Sequence, residues 1–428
     1  MNIDKSNEWL ERSYKVIPSG TQTFSKGPTQ WVRGVSPNFL SHGKGAWVWD
    51  VDGNKYLDYV MALGSVTLGY GDEDINSAVI EQAGQGMNFS MMHPLEVVVA
   101  EKITNMVPSA EMVRFGKNGS DATSAMVRVA RAYTKRERVA ICGYHGWHDW
   151  YIGTTSRSGG VPKCVQKLTK TFEYNDLDSL RRLLLEHRDE YALVMLEPLS
   201  FSSPEPGFLE GVKELAHQHG ALLGFDEVVS GFRVHAGGAQ ALFGVTPDVA
   251  SFGKGMANGL PLSCVVGRKD VMECFEHIFF SSTFGGETVA LAAANKFLDI
   301  IADGTVLSAM EKHGDRLKHG VAQVISECSL EDKMECVGHG AHWGLILKST
   351  SPDDSLLWRS YLIQECIKRG YLFFGSHNPT RAHDQQVLDY AMAVYSEVLP
   401  MFSDRLKNND MEKHMQGQLI EPIFRVHK

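Results

Sequence analysis

The 428-residue chain has no long hydrophobic run; no apolar stretch approaches the roughly 20 residues that a membrane span needs. Met1 to Arg12 is polar and reads as an amphipathic start, so no export leader is expected. The seven cysteines are scattered and none forms a CxxC pair. That argues against a disulfide framework and for reduced thiols in the cytoplasm. Basic residues are outnumbered, 42 Lys and Arg against 51 Asp and Glu, and the signs are interspersed. With a net charge of −9 and no basic stripe, nucleic acid is not an expected partner. Internal repeats and low-complexity tracts are also missing. What remains is 43% hydrophobic and 22% charged, enough for a large core and too long for one ordinary domain.

The most informative feature is a recurring pattern. A short apolar run stops at a cluster of Gly and polar residues, and a helix-like stretch follows. Met112 to Phe115 runs into Gly116-Lys117-Asn118-Gly119-Ser120, and Val139 to Cys142 into Gly143-Tyr144-His145-Gly146. Ala192 to Leu196 ends at Glu197-Pro198, Ala221 to Phe225 at Asp226-Glu227, and Val249 to Phe252 at Gly253-Lys254-Gly255. Apolar runs this short, alternating with helical stretches, predict buried strands of a mostly parallel sheet. Helices are expected over Ala122 to Tyr133, Leu177 to His187, Phe208 to His219 and Gly286 to Ala302. After about residue 303 two short strands, Met334 to Val337 and Trp343 to Leu347, sit among helices and predict a smaller α+β domain. A hairpin turning at Asp52-Gly53-Asn54 is expected near the start. The expected division is 1–57 packing with the small domain, 58–303 as the large domain and 304–428 as the small one. In open α/β sheets ligands sit beyond the carboxyl ends of the strands, where all five clusters fall.

Each cluster has a chemical reading and a plain one. Lys254, flanked by glycines, leaves an apolar strand; partial desolvation would free its amine as a nucleophile. Its plain reading is a solvated lysine in a Gly-rich loop. Asp226 closes a buried run, where a carboxylate needs a partner such as a protonated pyridine nitrogen. It could equally cap a helix or pair with Arg233. Asn118, Gly119 and Ser120 precede a helix and could cradle a phosphate, although helix caps look the same. Tyr144 could stack on a flat cofactor or belong to the core. His145, His148 and Asp149 raise a metal question, but their spacing is poor for zinc and no metal is expected. Ser281 to Gly286 is a second possible phosphate site on helix N-terminus logic, or an N-cap.

Taken together, these residues resemble the class III aminotransferases of pyridoxal phosphate (PLP) fold type I, in their glutamate-1-semialdehyde aminomutase-like branch. The resemblance runs from Trp49-Asp-Val-Asp-Gly-Asn-Lys-Tyr-Leu-Asp-Tyr59 to Ser282-Thr283-Phe284-Gly285-Gly286. It implies an α/β fold: a large domain with a mostly parallel seven-stranded sheet between helices, plus a smaller α+β domain. It implies PLP held as a Schiff base on Lys254, with Asp226 as the pyridinium partner and Val228 packed against the ring. Tyr144 would stack, and Asn118, Gly119 and Ser120 would hold the phosphate. Thr283 resembles a threonine that reaches the phosphate from the partner subunit, which implies a homodimer with shared sites.

The aminomutases usually read Ser-Gly-Thr-Glu where this chain has Asn118-Gly119-Ser120-Asp121. Lys26 stands roughly where they place an arginine for the substrate carboxylate, and a lysine cannot form the same two-pronged contact. The departures look more like relatives that aminate keto-sugars or other polar carbonyl compounds. The expected activity is amino transfer from a small-molecule donor to a keto or aldehyde acceptor. The alternative is glutamate-1-semialdehyde 2,1-aminomutase. A metal-dependent hydrolase and a non-catalytic binding protein are the more distant readings.

Overall fold

The computed structural model describes residues 1–349 and 351–422. The chain forms two compact units. Among the described residues the first comprises Met1–Leu63, Leu68–Asp72 and 308–422; the second comprises Gly64–Thr67 and Glu73–Leu307. Among the described residues no helix is long and apolar enough to cross a membrane.

The first unit opens with strands β1 (Leu40–Lys44), β2 (Trp47–Asp50) and β3 (Lys55–Asp58), an antiparallel meander. The expected turn is there. Asp50 Oδ1 accepts the N–H groups of Asp52 (3.0 Å) and Asn54 (2.8 Å), and Gly53 adopts the positive φ of 92° that such a turn favours in glycine.

The second unit is built on β4 (Met112–Gly116), β5 (Arg138–Cys142), β6 (Thr169–Thr171), β7 (Tyr191–Leu196), β8 (Leu222–Glu227), β9 (Val249–Phe252) and β10 (Ser263–Gly267). They form one seven-stranded sheet in the order β4-β10-β9-β8-β7-β5-β6. Every pair from β9 to β6 is parallel, and β10 runs antiparallel to both its neighbours. All residues of β7, β8 and β9 are buried. That burial on both faces is why these strands read as unbroken apolar runs. The expected helices appear as Gly119–Thr134, Leu177–Glu186, Phe208–Gln218 and Thr288–Ile301. The last starts two residues later than expected, because the Glu287 carboxylate accepts the N–H groups of Val289 (2.7 Å) and Ala290 (3.2 Å) and caps it.

The first unit closes with β11 (Met334–His339), β12 (His342–Leu347), β13 (Tyr371–Leu372) and β14 (Ser376–His377). β13 adds to β3 in parallel, while β11, β12 and β14 make a separate antiparallel sheet. Helices Pro352–Lys368 and Gln385–Asn408 cover this core. At its centre the His377 ring stacks on Trp343, centroids 3.7 Å apart, and bonds the Tyr395 hydroxyl at 2.6 Å. His313 bonds the Tyr59 hydroxyl at 2.8 Å.

Burial lowers the proton affinity of both histidines, His313 to about 4 and His377 to about 3. The unfolded chain binds these protons more tightly than the folded one. Their contribution is therefore fully present above pH 6.5 and is lost as the pH falls toward 3–4. Acidification from pH 7 to 5 should remove roughly 2 kcal/mol per histidine. Thermal melts across that range should show His377→Gln with a shallower fall in Tm than the unmodified chain. An unchanged slope would place the acid sensitivity elsewhere.

Candidate active site

The site-forming residues of the second unit arise at the ends of β4, β5, β7, β8 and β9. Asn118 caps the 16-residue Gly119–Thr134 helix directly after β4. The Asp121 carboxylate accepts the N–H groups of Lys117 (3.1 Å) and Asn118 (2.8 Å). The N–H groups of Gly119 and Ser120, in the first helical turn, have no intrahelical acceptor and point along the positive end of the helix dipole. Two backbone donors thus remain for an anion at this helix start, while the Asn118 N–H is taken by Asp121. A side chain at Gly119 would put Cβ 2.8 Å from Val228 Cγ1, so the backbone approaches that valine as closely as glycine allows.

Tyr144 follows β5 and is 52% exposed. Behind it, Tyr151 packs edge-on at 5.4 Å. Gly143 has φ 111°, and a Cβ there would lie 2.7 Å from Glu197 Oε1. The Tyr144 N–H donates to that same oxygen at 2.8 Å. Gly146 likewise leaves room for the Ser120 side chain, whose hydroxyl accepts the Trp147 N–H at 3.3 Å.

Asp226 lies inside β8 rather than beyond it, and is 5% exposed. Its Oδ1 accepts from Val228 N–H (3.1 Å) and Ser251 Oγ (3.2 Å), while Oδ2 lies 2.8 Å from His145 Nδ1. His145 is thus a carboxylate partner. His148 turns elsewhere, to Ser124 Oγ at 2.6 Å. Among the described residues no group of three or more His, Cys, Asp or Glu side chains is arranged to hold a metal ion. The neighbouring Glu227 points to the other face of the strand and accepts from Ser230, Gln240 and the backbone at 239 and 240, a fixing role for that loop.

Lys254 follows β9 with φ 42°, a left-handed conformation uncommon for a residue with a side chain. Burial holds its ammonium below the usual lysine range; the charges of Glu197 and Asp226 pull the other way. A larger neutral fraction near pH 7 is what a nucleophilic amine needs. Glu197, closing β7, was given no role from sequence. Burial and the Asp226 charge raise its pKa, opposed by His145 and Lys254. The signal existed, since a carboxylate ending a buried strand is the argument made for Asp226.

The two remaining sequence candidates lie apart from this group in the chain. Thr283 sits in the exposed run 281–284, with its carbonyl accepting from Asn88 Nδ2 at 3.3 Å. The adjacent helix terminus is taken by the Glu287 carboxylate, so helix N-terminus logic does not make Ser281 to Gly286 an anion site. Lys26, in the first unit, is exposed and lines a cavity of about 260 Å³ with Trp31, Leu40, Val60, Leu63 and Leu372. Asp58 also lines it. That carboxylate holds the N–H groups of Val60 (2.6 Å) and Met61 (3.0 Å) and the Tyr70 hydroxyl (2.7 Å). Met61, Ala62 and Leu63 are all left-handed, at φ 47°, 51° and 61°, a run that costs roughly 1–2 kcal/mol per residue.

The second unit's residues fit PLP. The Gly119 and Ser120 N–H groups suit its phosphate, and the half-exposed aromatic ring of Tyr144 suits its plane. Asp226 suits its ring nitrogen, and Lys254 supplies an amine of lowered basicity. The cofactor would supply an electron sink once its ring nitrogen is protonated.

Comparisons with known proteins agree. The class III aminotransferase family model matches residues 31–377. The 3-aminobutyryl-CoA aminotransferase of Cloacimonas acidaminovorans (strain Evry) is 34% identical over 418 residues, 93% of this chain and 99% of the relative. A glutamate-1-semialdehyde 2,1-aminomutase of Alkaliphilus oremlandii (strain OhILAs) is 38% identical over 346 residues, 76% of this chain and 80% of that one. Among solved structures, the PLP-containing FumI protein of Sphingopyxis sp. MTA144 superposes with a TM-score of 0.87 at 26% identity, covering 96% of this chain and 98% of its own. With most of its length matched by the family model and by relatives, this chain is a member of the class III, PLP-dependent aminotransferases of fold type I.

Proposed function

We propose that the enzyme transfers an amino group between two separate molecules, and that its amino compound is an acyl derivative carrying nitrogen on the third carbon. The observation that carries this is near-complete alignment with a 3-aminobutyryl-CoA aminotransferase, 93% of one chain and 99% of the other. The match to the aminomutase from Alkaliphilus spans 76% of this chain.

In this reading Lys254 carries the cofactor and moves the proton, and Asp226 holds the ring nitrogen's proton. Val228 packs the ring, Tyr144 stacks on it, and Gly119 and Ser120 bind the phosphate beside Asn118. The family resemblance gives Lys26 the substrate's anionic end. Mixing the holoenzyme with 3-aminobutyrate, its thioester, or glutamate-1-semialdehyde should bleach the cofactor's visible absorbance most rapidly with the thioester. Lys26→Met should raise KM for the acid substrates about tenfold and spare kcat. Isomerisation of glutamate-1-semialdehyde without any added acceptor, faster than amino transfer, would replace this reading with the aminomutase.

The enzyme is further proposed to be a homodimer with Thr283 reaching the partner's phosphate. Met91 and Met92 are 86% and 88% exposed, and Phe279 and Phe284 are exposed on the Thr283 segment; such surface usually marks an interface. Mixing Lys254→Ala subunits with Thr283→Ala subunits gives heterodimers with one doubly damaged site and one intact site if the contact is in trans. Activity should then recover in part. If subunits exchange, Thr283→Ala alone is damaging and no recovery appears, the threonine acts within its own chain. A cytoplasmic location is consistent with seven free cysteines.

A further inference from the structure

Arg233 ends the Phe225–Arg233 segment and is 1% exposed. Its Nη2 donates to the carbonyls of Gly64 (2.8 Å) and Val66 (3.4 Å) and to the Thr67 hydroxyl (3.4 Å). Burial lowers its proton affinity to about 10, so it remains a cation at neutral pH. The residues it holds, Gly64–Thr67, belong to the second unit although the chain on either side belongs to the first.

Thr67 continues the connection. Its N–H donates to Asn258 Oδ1 at 2.9 Å and its hydroxyl approaches the Gly255 carbonyl at 3.5 Å. The same hydroxyl occupies the space a Cβ on Gly255 would take. Gly64–Thr67 therefore lies directly on the turn Lys254–Ala257. That turn is bracketed by two left-handed residues with side chains, Lys254 at φ 42° and Asn258 at φ 45°. Such conformations persist only where surrounding structure enforces them. All three acceptors converge on one nitrogen at the end of a rigid planar group; a lysine has a shorter reach and a flexible stem, and would not bring its ammonium to the same point.

We infer that Arg233 is a positioning residue for Lys254, acting through the Gly64–Thr67 stretch that it pins onto the Lys254 turn. The inference rests on Lys254 being the reacting amine. A second effect accompanies the mechanical one. The charged groups facing Lys254 are Glu197, Asp226 and Arg233; the two acids favour its protonated form, and Arg233 together with burial opposes it.

Three variants of the holoenzyme separate the effects: Arg233→Lys, Arg233→Met and Thr67→Val. Arg233→Lys and Thr67→Val should speed amide hydrogen exchange at 255–258 about tenfold. They should lower kcat about 10- to 100-fold with KM little changed, because the amine is misplaced while the substrate site is intact. The pH midpoint of the cofactor's visible absorbance should stay near the unmodified value in these two, since the charge remains. In Arg233→Met it should rise by about one pH unit, as a nearby positive charge is lost. Should Arg233→Met not accumulate as folded protein, the other two variants decide. Unmoved exchange and unmoved kcat in both overturn the proposal, and so does either readout moving alone. Borohydride adduct mapping in the same samples keeps the premise separate: an adduct on another lysine defeats the assignment of Lys254 itself.

Discussion

Replacing Lys254 by alanine should lower kcat by about four orders of magnitude or more while the protein still binds PLP. The amine is asked to do two things, bond to the cofactor and carry a proton between two carbon atoms, and alanine does neither. Binding should survive because the anion cradle at Gly119 and Ser120, the Tyr144 ring and Asp226 belong to other strand ends. Two measurements check this. Borohydride treatment of the unmodified holoenzyme should leave the cofactor on the peptide containing Lys254, read by mass spectrometry. Equilibrium dialysis of Lys254→Ala should show retained cofactor. An adduct on any other lysine would falsify the assignment.

Asp226→Asn should cost about three orders of magnitude in kcat. The change is nearly isosteric. An amide oxygen can still accept from Val228 N–H and Ser251 Oγ, and its NH₂ can donate toward His145 Nδ1. What disappears is the negative charge that would keep a pyridinium protonated in a buried place. Melting temperature should hardly move while kcat collapses, a split that a structural role for Asp226 would not produce. Activity within a few-fold of the unmodified enzyme would remove Asp226 from the mechanism.

The placement of the candidate residues was legible because they sit at or near the ends of buried strands. Lys254 follows one apolar run and Asp226 lies near the end of another, and a charge in such a place needs a partner. The helix expected from Ala122 begins three residues earlier, at Gly119, because Asn118 is its N-cap and the Asp121 carboxylate reaches back to the Asn118 N–H. Strand order was not readable. His145 follows β5 and Asp226 lies on β8, with β7 between them. Nothing in the spacing of these residues says that they meet at 2.8 Å, so the sequence gives His145 no partner. Strand direction is equally silent, which is why the antiparallel β10 carries no mark in its apolar pattern. Glu197 went unassigned because the same strand-end signal was weighed for its neighbours and not for it.

The contact between Gly119 and Val228 has a consequence for how this enzyme can change. With only 2.8 Å between a new Cβ and the valine methyl, a side chain at 119 is blocked until 228 becomes smaller. Trimming Val228 first opens a gap beside Gly119; adding the methyl at 119 afterwards fills it. The two substitutions are therefore available in one order only. A lineage or a directed-evolution library sampling single changes would find position 119 closed, and would read as invariance what is a question of sequence in time.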